Sequence, residues 1–411
     1  MNKFLDKIIK RTNNLDYITK SIKDLSKNTP VKKIFECINN FSSNSEIRYV
    51  GGCLRKIIKK ETVDDIDLAT NINPKQVCEA LKSNNINFHE TGIEHGTITA
   101  NINEYSFEIT SLREDKETDG RHAEVKFTTD WKKDALRRDF TINSIYADIM
   151  GNLFDPFNGR EDLQKGIIQF IGDPEQRIQE DYLRILRYLR FYLIYSNYKH
   201  DPRVIKLIKK NIIGISNLSK ERLLDELKKY LKSHLLTKLS KDKFSMEIFA
   251  IIFPELKNIK IFSYPNEFAK LKIQEADFIF LLSILTINNE DNLDYFIYKF
   301  NISKKHQKRL KIIDNFYKDK LISESFSEKN LNKIFYYNGR QSVLDILNFK
   351  IFSSKKIDQK LLNFINYFKF KNTPVMPINA KVLMEKYEIP EGKNLGIKLK
   401  IIEDEWVKNN F

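Results

Sequence analysis

The chain has 411 residues, with 70 Lys and Arg against 55 Asp and Glu, for a formal net charge of +15. That length supports several domains with ample core, and the basic balance favours a polyanionic partner such as nucleic acid, although an AT-rich coding bias would give the same lysine excess. Three cysteines, Cys37, Cys53 and Cys78, without Cys-x-x-Cys spacing, argue against a disulfide framework and a zinc site and fit a reducing compartment.

In chain order, residues 1–41 read as an amphipathic helical extension broken near Pro30. This start has no secretory apolar core, and Asp6, Asp16 and Asp24 argue against an organellar transit peptide, so a cytoplasmic protein is expected. A mixed α/β domain follows over 42–150. Ile47 to Val50 reads as a strand, 52–60 as a helix, 63–69 as a strand and 74–84 as a helix opening at Pro74. Gly92 and Gly96 mark a turn into a strand from Thr97, and Tyr105-Ser-Phe-Glu-Ile-Thr reads as its partner. The polar stretch from Arg113 to Glu124, with Asp119-Gly120 as a turn signal, reads as a loop. From about 131 the pattern is helical, apart from extended pieces near Leu153 and at 168–171. Boundaries near 250 and 328 divide the helical remainder into 151–250, 251–328 and 329–411. No apolar run approaches the ~18 residues that a membrane span needs.

Three stretches carry chemistry. The first is Gly51-Gly52-Cys-Leu-Arg55 followed by Asp65-Ile-Asp67. Glycines at a helix start let backbone N–H groups approach an anion. Two acids two residues apart on a strand share a face and offer hard oxygen ligands to divalent cations. A solvated turn would also explain Asp64 to Asp67, but the upstream glycines and Arg55 favour phosphoryl or nucleotidyl transfer. Glu108, on a predicted neighbouring strand, is a candidate third carboxylate. The second stretch is Arg137-Arg138-Asp139-Phe140-Thr141-Ile142-Asn143. Adjacent guanidiniums suit a triphosphate; alternatively, Arg137 forms a surface ion pair with Asp134. The third is Glu180-Asp181-Tyr-Leu-Arg184-Ile-Leu-Arg187-Tyr-Leu-Arg190. Asp181 and Arg184, read as helix neighbours, make either a structural salt bridge or a base reader. A carboxylate accepting from an exocyclic amine and a guanidinium donating to the adjacent ring nitrogen would admit C and A and reject U and G.

These elements, in this order, resemble the class II tRNA nucleotidyltransferase/poly(A) polymerase family. The glycine segment is similar to its Gly-Gly-x-x-Arg-Asp motif, Asp65 and Asp67 to its metal pair, and 137–143 to its Arg-Arg-Asp-Phe-Thr-x-Asn motif. Glu180-Asp181-x-x-Arg184 resembles its amino-acid template, and Ser219-Lys-Glu221-Arg222 a helix motif that braces the template. The resemblance implies an α/β nucleotidyltransferase head with a mixed sheet and helices, followed by all-α neck, body and tail domains. It implies two Mg²⁺ ions, ATP and CTP as substrates, and addition of C, C and A to the tRNA 3′ end, with the acceptor arm gripped by the helical domains. No membrane and no obligate protein partner are implied. By motif position, Gly52 and Arg55 contact the nucleotide, Asp65 and Asp67 hold metal, and Arg138 meets the phosphates. Asp181 and Arg184 read the base, and Arg187 and Arg190 line the pocket.

Lys56 departs from the family, which usually places Asp after the motif arginine, and His122-Ala123 stands where a proline-bearing turn is common. The 113–125 segment resembles the flexible element needed to switch from C to A, which favours a full CCA-adding activity. The tail around Trp406 has a packing character. His95 reads as structural, and His200-Asp201 only superficially resembles a metal phosphohydrolase pair, as His234 and His306 lack suitable surroundings. The basic run from Lys304 to Lys311 is either an RNA-backbone grip or a solvated helix face. A poly(A) polymerase and a non-catalytic RNA-binding protein remain the alternative functions.

Overall fold

The computed structural model describes residues 16–115, 125–231, 233–288, 290–318, 325–354 and 358–411. Asp6 and the Asp119-Gly120-Arg121-His122-Ala123 segment lie outside them. The chain divides into two compact units, 1–216 and 217–411.

The first unit is built on a seven-stranded mixed sheet. Its strands are β1 (Ile47–Val50), β2 (Ile66–Thr70), β3 (Asn87–Gly92), β4 (Thr97–Ile102), β5 (Tyr105–Ser111), β8 (Tyr146–Ala147) and β9 (Leu153–Phe154), in the order β3-β4-β5-β2-β1-β8-β9. Only β2 and β5 run parallel; the register places Asp67 opposite Glu108 and Leu68 opposite Ile109. One face is apolar. Leu68, Phe107 and Ile109 are buried there, with Phe35 tilted against Tyr49 at 4.8 Å between ring centroids. After a first helix, α1, whose described part spans 16–28, helices α2 (Val31–Asn39) and α4 (Pro74–Ser83) pack against this sheet. The opposite face carries Asp67 and Glu108, so period-two alternation makes one side of the sheet a core and the other a polar platform.

Helix starts follow local chemistry. Asn73 and Gln76 form a reciprocal capping box with Pro74 at the first helical position. Asp173 caps α7 (Pro174–Glu180), and Asp201 caps α9 (Pro202–Asn211), each followed by proline. Capping accounts for Asp201 in the His200-Asp201 pair, while His200 stacks on Tyr192 at 3.5 Å. Among the described residues, no three His, Cys, Asp or Glu side chains could hold a metal ion as a group.

The extended piece at 168–171 forms a single antiparallel bridge, Phe170 to Phe140. Two expectations need correction. The described start of the polar loop is strand: β6 (Arg113–Asp115) pairs antiparallel with β7 (Val125–Phe127), which follows the loop. The helix expected through Asp181 and Arg184 is broken. Asp181 ends α7 with φ −153° and ψ 102°, and α8 (Leu183–Tyr195) starts afresh.

A further element escaped the sequence reading. The Asp155 carboxylate accepts from the Gly159 and Arg160 amides at 2.8 and 2.9 Å, starting α6 (Gly159–Lys165). Asp162 on that helix accepts from the Thr141 hydroxyl at 2.6 Å. Gly159 lies so close to the 3₁₀ turn Thr141–Asn143 that an added Cβ would meet the Thr141 carbonyl oxygen at 1.9 Å. Backbone cannot yield as a flexible side chain can, so Gly159→Ala is expected to cost at least ~1–3 kcal/mol. Thermal unfolding should show a melting temperature lower by several degrees; an unchanged value would contradict this packing.

The second unit is helical in every described element. Its helix Glu328–Ser353 kinks at Gly339 and contributes Leu331, Phe335, Val343, Leu347 and Ile351 to a core with Leu361, Ile365 and Phe368. Within the basic run, Arg309 is structural: its guanidinium donates to the buried Asp345 at 2.6 and 2.9 Å. Ser219 caps the helix Lys220–Tyr230 by accepting from the Arg222 amide at 3.3 Å. Among the described residues no helix is long and apolar enough to cross a membrane.

Candidate active site

The site lies on the polar side of the first unit's sheet. Strand β1 turns into α3 (Gly52–Lys59) through Gly51, whose φ of 70° and ψ of −121° suit glycine. The turn sets the Gly52 amide toward Asp67, at 3.4 Å from Oδ2. A Cβ on either glycine would come within 3.5 Å of that oxygen. Asp65 lies just before β2 and is exposed, while Asp67 is half-buried within it. Burial pushes the Asp67 carboxyl up, opposed by the Gly52 N–H and Arg55, with Asp65 adding to the rise and Arg138 to the opposition. Glu108 is also raised, by burial and then by the charges of Asp67 and Asp65. Asp67 therefore feels the Asp65 charge, and Glu108 feels both across the two parallel strands.

Arg55 projects from α3, and its guanidinium donates to the side-chain oxygen of Asn143. Asn143 Nδ2 donates to Asp139 Oδ1 at 2.6 Å, and Arg187 Nε donates to Asp139 Oδ2 at 2.6 Å. This chain joins all three sequence motifs through contacts 88 and 48 residues apart. Around Phe191 the guanidiniums of Arg55, Arg187 and Arg190 gather at 4.8, 5.7 and 4.3 Å from the ring centroid. Burial lowers the Arg55 pKa, and the Arg190 and Arg187 charges push the same way while Tyr195 opposes. Such clustered cations favour an anionic ligand. Lys56 instead pairs with Asp64 at 2.7 Å, which gives the departed motif position a local partner.

Helix α5 (Trp131–Arg137) ends at Arg138. Arg138 Nε donates to Tyr146 Oη at 2.9 Å and Asp134 Oδ2 at 3.1 Å, and Nη1 to the Asn143 carbonyl at 3.3 Å. Arg137 does pair with Asp134, at 2.6 Å, but the acid is buried, so the pair is more than a surface cluster.

The 180–184 segment differs most from expectation. Arg184 is not paired with Asp181. Its Nη1 donates to Glu180 Oε2 and to the Arg177 carbonyl, each at 2.7 Å. Asp181, extended between two helices, accepts from the Leu183 amide at 3.1 Å. The break turns Asp181 out of the helical i, i+3 relation, and the i, i+4 neighbour Glu180 takes its place. Arg177, which the sequence reading missed, donates to the carbonyls of Arg137 and Arg138 and pairs with Glu180. Its signal was available only as a helix position three residues before Glu180.

Two acids buried under this site are strongly depressed. Burial alone would raise Asp134, but Arg138, Arg137 and Tyr146 hold it at about 2. Burial is likewise overridden at Asp139 by Arg187, Asn143 and the Phe140 amide, again to about 2. An acid whose folded pKa is depressed contributes stability above its unfolded pKa, and that contribution is lost as pH falls through the folded value. Each contributes roughly 2 kcal/mol on this reasoning. Acid titration should therefore show the first unit losing stability mainly between about pH 4 and pH 2, and Asp139→Asn should flatten that loss. A stability loss centred near pH 6 would contradict the assignment.

Comparison with known proteins agrees with this geometry. Residues 47–169 match the model of the poly A polymerase head domain, and 197–260 match that of the probable RNA and SrmB- binding site of polymerase A. A CCA-adding enzyme from Staphylococcus aureus is 30% identical over 381 residues, covering 87% of this chain and 88% of that protein. The chain belongs to the CCA-adding enzyme family. Human mitochondrial CCA tRNA nucleotidyltransferase 1 is 50% identical over 191 residues, 46% of this chain and 44% of the human protein. The chain thus spans under half the length of the vertebrate relatives it matches. The family fold extends beyond that stretch. The Bacillus stearothermophilus CCA-adding enzyme, solved in complex with CTP, superposes with a TM-score of 0.70 over 93% of each chain at 21% identity.

Proposed function

We propose that this chain adds C, C and A to the 3′ end of tRNA from CTP and ATP, without a nucleic-acid template. The observation that supports this reading is the hydrogen-bonded chain Arg187–Asp139–Asn143–Arg55, which links the three motif segments beside Asp67. Structures of relatives with ATP and with tRNA exist for other CCA-adding enzymes. The catalytic head starts at 42 and, with β9 in its sheet, runs past the expected boundary at 150; the neck follows to 250, the body spans 251–328, and 329–411 form a tRNA-gripping tail.

Asp65 and Asp67 would hold Mg²⁺, with Glu108 a neighbouring acid. Hard oxygens on a crowded anionic platform fit that ion, and two carboxylates suffice because Mg²⁺ completes its shell with phosphate oxygens and water. When bound, the ions lower the pKa of the tRNA 3′-hydroxyl and neutralise charge at the α-phosphate. The hydroxyl attacks that phosphorus in line and pyrophosphate leaves. Arg138, fixed by Asp134, Tyr146 and the Asn143 carbonyl, meets the triphosphate, and the α3 start with the Gly52 N–H faces the same charge. Arg55, Arg187 and Arg190 line the nucleotide pocket. Arg184 presents its remaining nitrogens, and Asp181 its carboxylate, to the base edge. Catalysis is mainly positioning and charge stabilisation.

Relief of the repulsion between Asp67 and its acidic neighbours should make Mg²⁺ stabilising. The melting temperature is expected to rise with Mg²⁺ in the wild type. Asp67→Asn should melt higher than the wild type without metal and respond less to it. An Mg²⁺ response equal in both proteins would move the metal elsewhere.

A poly(A) polymerase would add A alone to many RNA 3′ ends, and a non-catalytic RNA-binding protein would add nothing. Incubating a generic RNA and a tRNA lacking CCA with ATP alone separates these readings: processive A addition to the generic RNA would favour the polymerase. We place the reaction in the cytoplasm. Imaging of the full-length protein tests this, and a mitochondrial signal, as the vertebrate relatives' names raise, would overturn it.

A further inference from the structure

One buried carboxylate carries more hydrogen bonds than its place in a helix requires. Asp134 is 1% exposed. Its Oδ1 accepts from Arg137 Nε at 2.8 Å and from the Arg113 backbone amide at 3.3 Å. Its Oδ2 accepts from the Tyr146 hydroxyl at 2.6 Å and from Arg138 Nε at 3.1 Å. Arg137 Nε also donates to the Arg113 carbonyl at 3.0 Å. The Asp134–Arg137 pair thus grips both backbone groups of the residue that opens β6, while the same acid holds the guanidinium of Arg138.

An acid beneath a phosphate site repels the ligand, so its presence there opposes binding unless it does something else. Here it fixes a plane. Arg138 has Nε held by Asp134 and Tyr146 and Nη1 held by the Asn143 carbonyl. A guanidinium locked in this way loses little freedom on meeting a phosphate. Phosphate drawing on Arg138 also alters the share of charge left to Asp134, and hence its grip on Arg113. A link of that kind between two sites is reciprocal.

We propose that Asp134 is a positioning residue: it orients Arg138 for the triphosphate and roots the β6–β7 ribbon through the Arg113 backbone, so that phosphate binding and ribbon order are coupled. The proposal rests on the reading of Arg138 as a phosphate contact. The test uses the full chain with inorganic tripolyphosphate, following affinity by calorimetry and amide exchange across 113–115 and 125–127. In the wild type, tripolyphosphate should slow exchange in the ribbon. Asp134→Asn should weaken tripolyphosphate by about tenfold or more and abolish the slowing. Arg137→Ala should lose more of the slowing than of the affinity. If Asp134→Asn does not fold, Tyr146→Phe decides together with Arg137→Ala, since it removes a partner of both Asp134 and Arg138; weaker affinity with reduced slowing is expected.

Variants that bind tripolyphosphate and slow the ribbon as the wild type does would overturn the proposal, whatever their melting temperatures. A wild type that binds without slowing would also overturn it. Equal binding by the wild type and Arg138→Ala is a different failure, since it removes the phosphate reading of Arg138 itself.

Discussion

Asp67→Ala should leave a folded protein that still binds tRNA and transfers almost no nucleotide. The carboxylate sits on a sheet strand against the Gly52 amide, and on the proposed reading its loss removes a ligand for Mg²⁺ that would neutralise charge in the transition state. Several kcal/mol of such stabilisation corresponds to roughly a thousandfold or larger loss of single-turnover rate. Leu68 and Ile66 on the same strand keep their burial, so the fold should survive. Filter binding of tRNA should change by less than about threefold, because nucleic-acid affinity comes chiefly from phosphate contacts by basic groups. Asp65→Ala should behave similarly. Full turnover in either variant would remove the carboxylate pair from the chemistry.

Arg184→Ala is expected to change which nucleotide is used more than how tightly its phosphates are held. Each well-placed bidentate base contact discriminates by roughly 1–3 kcal/mol, so the preference for C and A over U and G should fall by about tenfold to a hundredfold. Asp181→Ala should do the same. The structure adds a graded case. Glu180 Oε2 anchors Arg184 Nη1, and Arg177 anchors Glu180 in turn. Glu180→Gln should therefore blur selectivity while keeping both Asp181 and Arg184, and its effect should lie between the wild type and Arg184→Ala. Steady-state kinetics with each of the four nucleotides measures all three. A rise in KM shared equally by all nucleotides, with their ratio unchanged, would assign Arg184 to the phosphates instead of the base.

How much of this was legible in the sequence depends on the reach of each contact. The glycine turn, the β2 acids and the helix start at Pro74 follow from local geometry: a positive φ at Gly51, alternation along β2, and an Asx-Pro cap at Asn73, whose counterparts at Asp173 and Asp201 went unread. The division into a mixed sheet and a helical remainder follows from the change of period. Arg184 shows where local reasoning failed. Helical spacing paired it with Asp181, but an extended residue at Asp181 breaks the helix and hands the arginine to Glu180. Two neighbouring stretches of sequence were compatible with one helix or two, and only the packing of α7 and α8 separates them.

The remaining site residues depend on contacts that no spacing announces. Asn143 was part of a quoted motif, but its bond to Arg55 spans 88 residues. Asp134 looked like the partner of one arginine and proves to hold two, a tyrosine and a strand. Gly159 carries no positive φ that would mark it as special; its requirement is the close approach of the Thr141 carbonyl. The 113–115 arm was hidden because Arg-Glu-Asp has no apolar residue, and the alternation of Val125-Lys-Phe127 is too short to mark a strand, while backbone pairing forms both regardless.

Untemplated, ordered nucleotide choice at a tRNA end is the central proposal for this chain. The most direct measurement is sequencing of 3′ ends after a tRNA transcript lacking CCA is incubated with Mg²⁺ and CTP alone, ATP alone, or both. Two added cytidines with CTP alone, and CCA with both nucleotides, is the predicted outcome; runs of A, or unextended ends in every mixture, would contradict it.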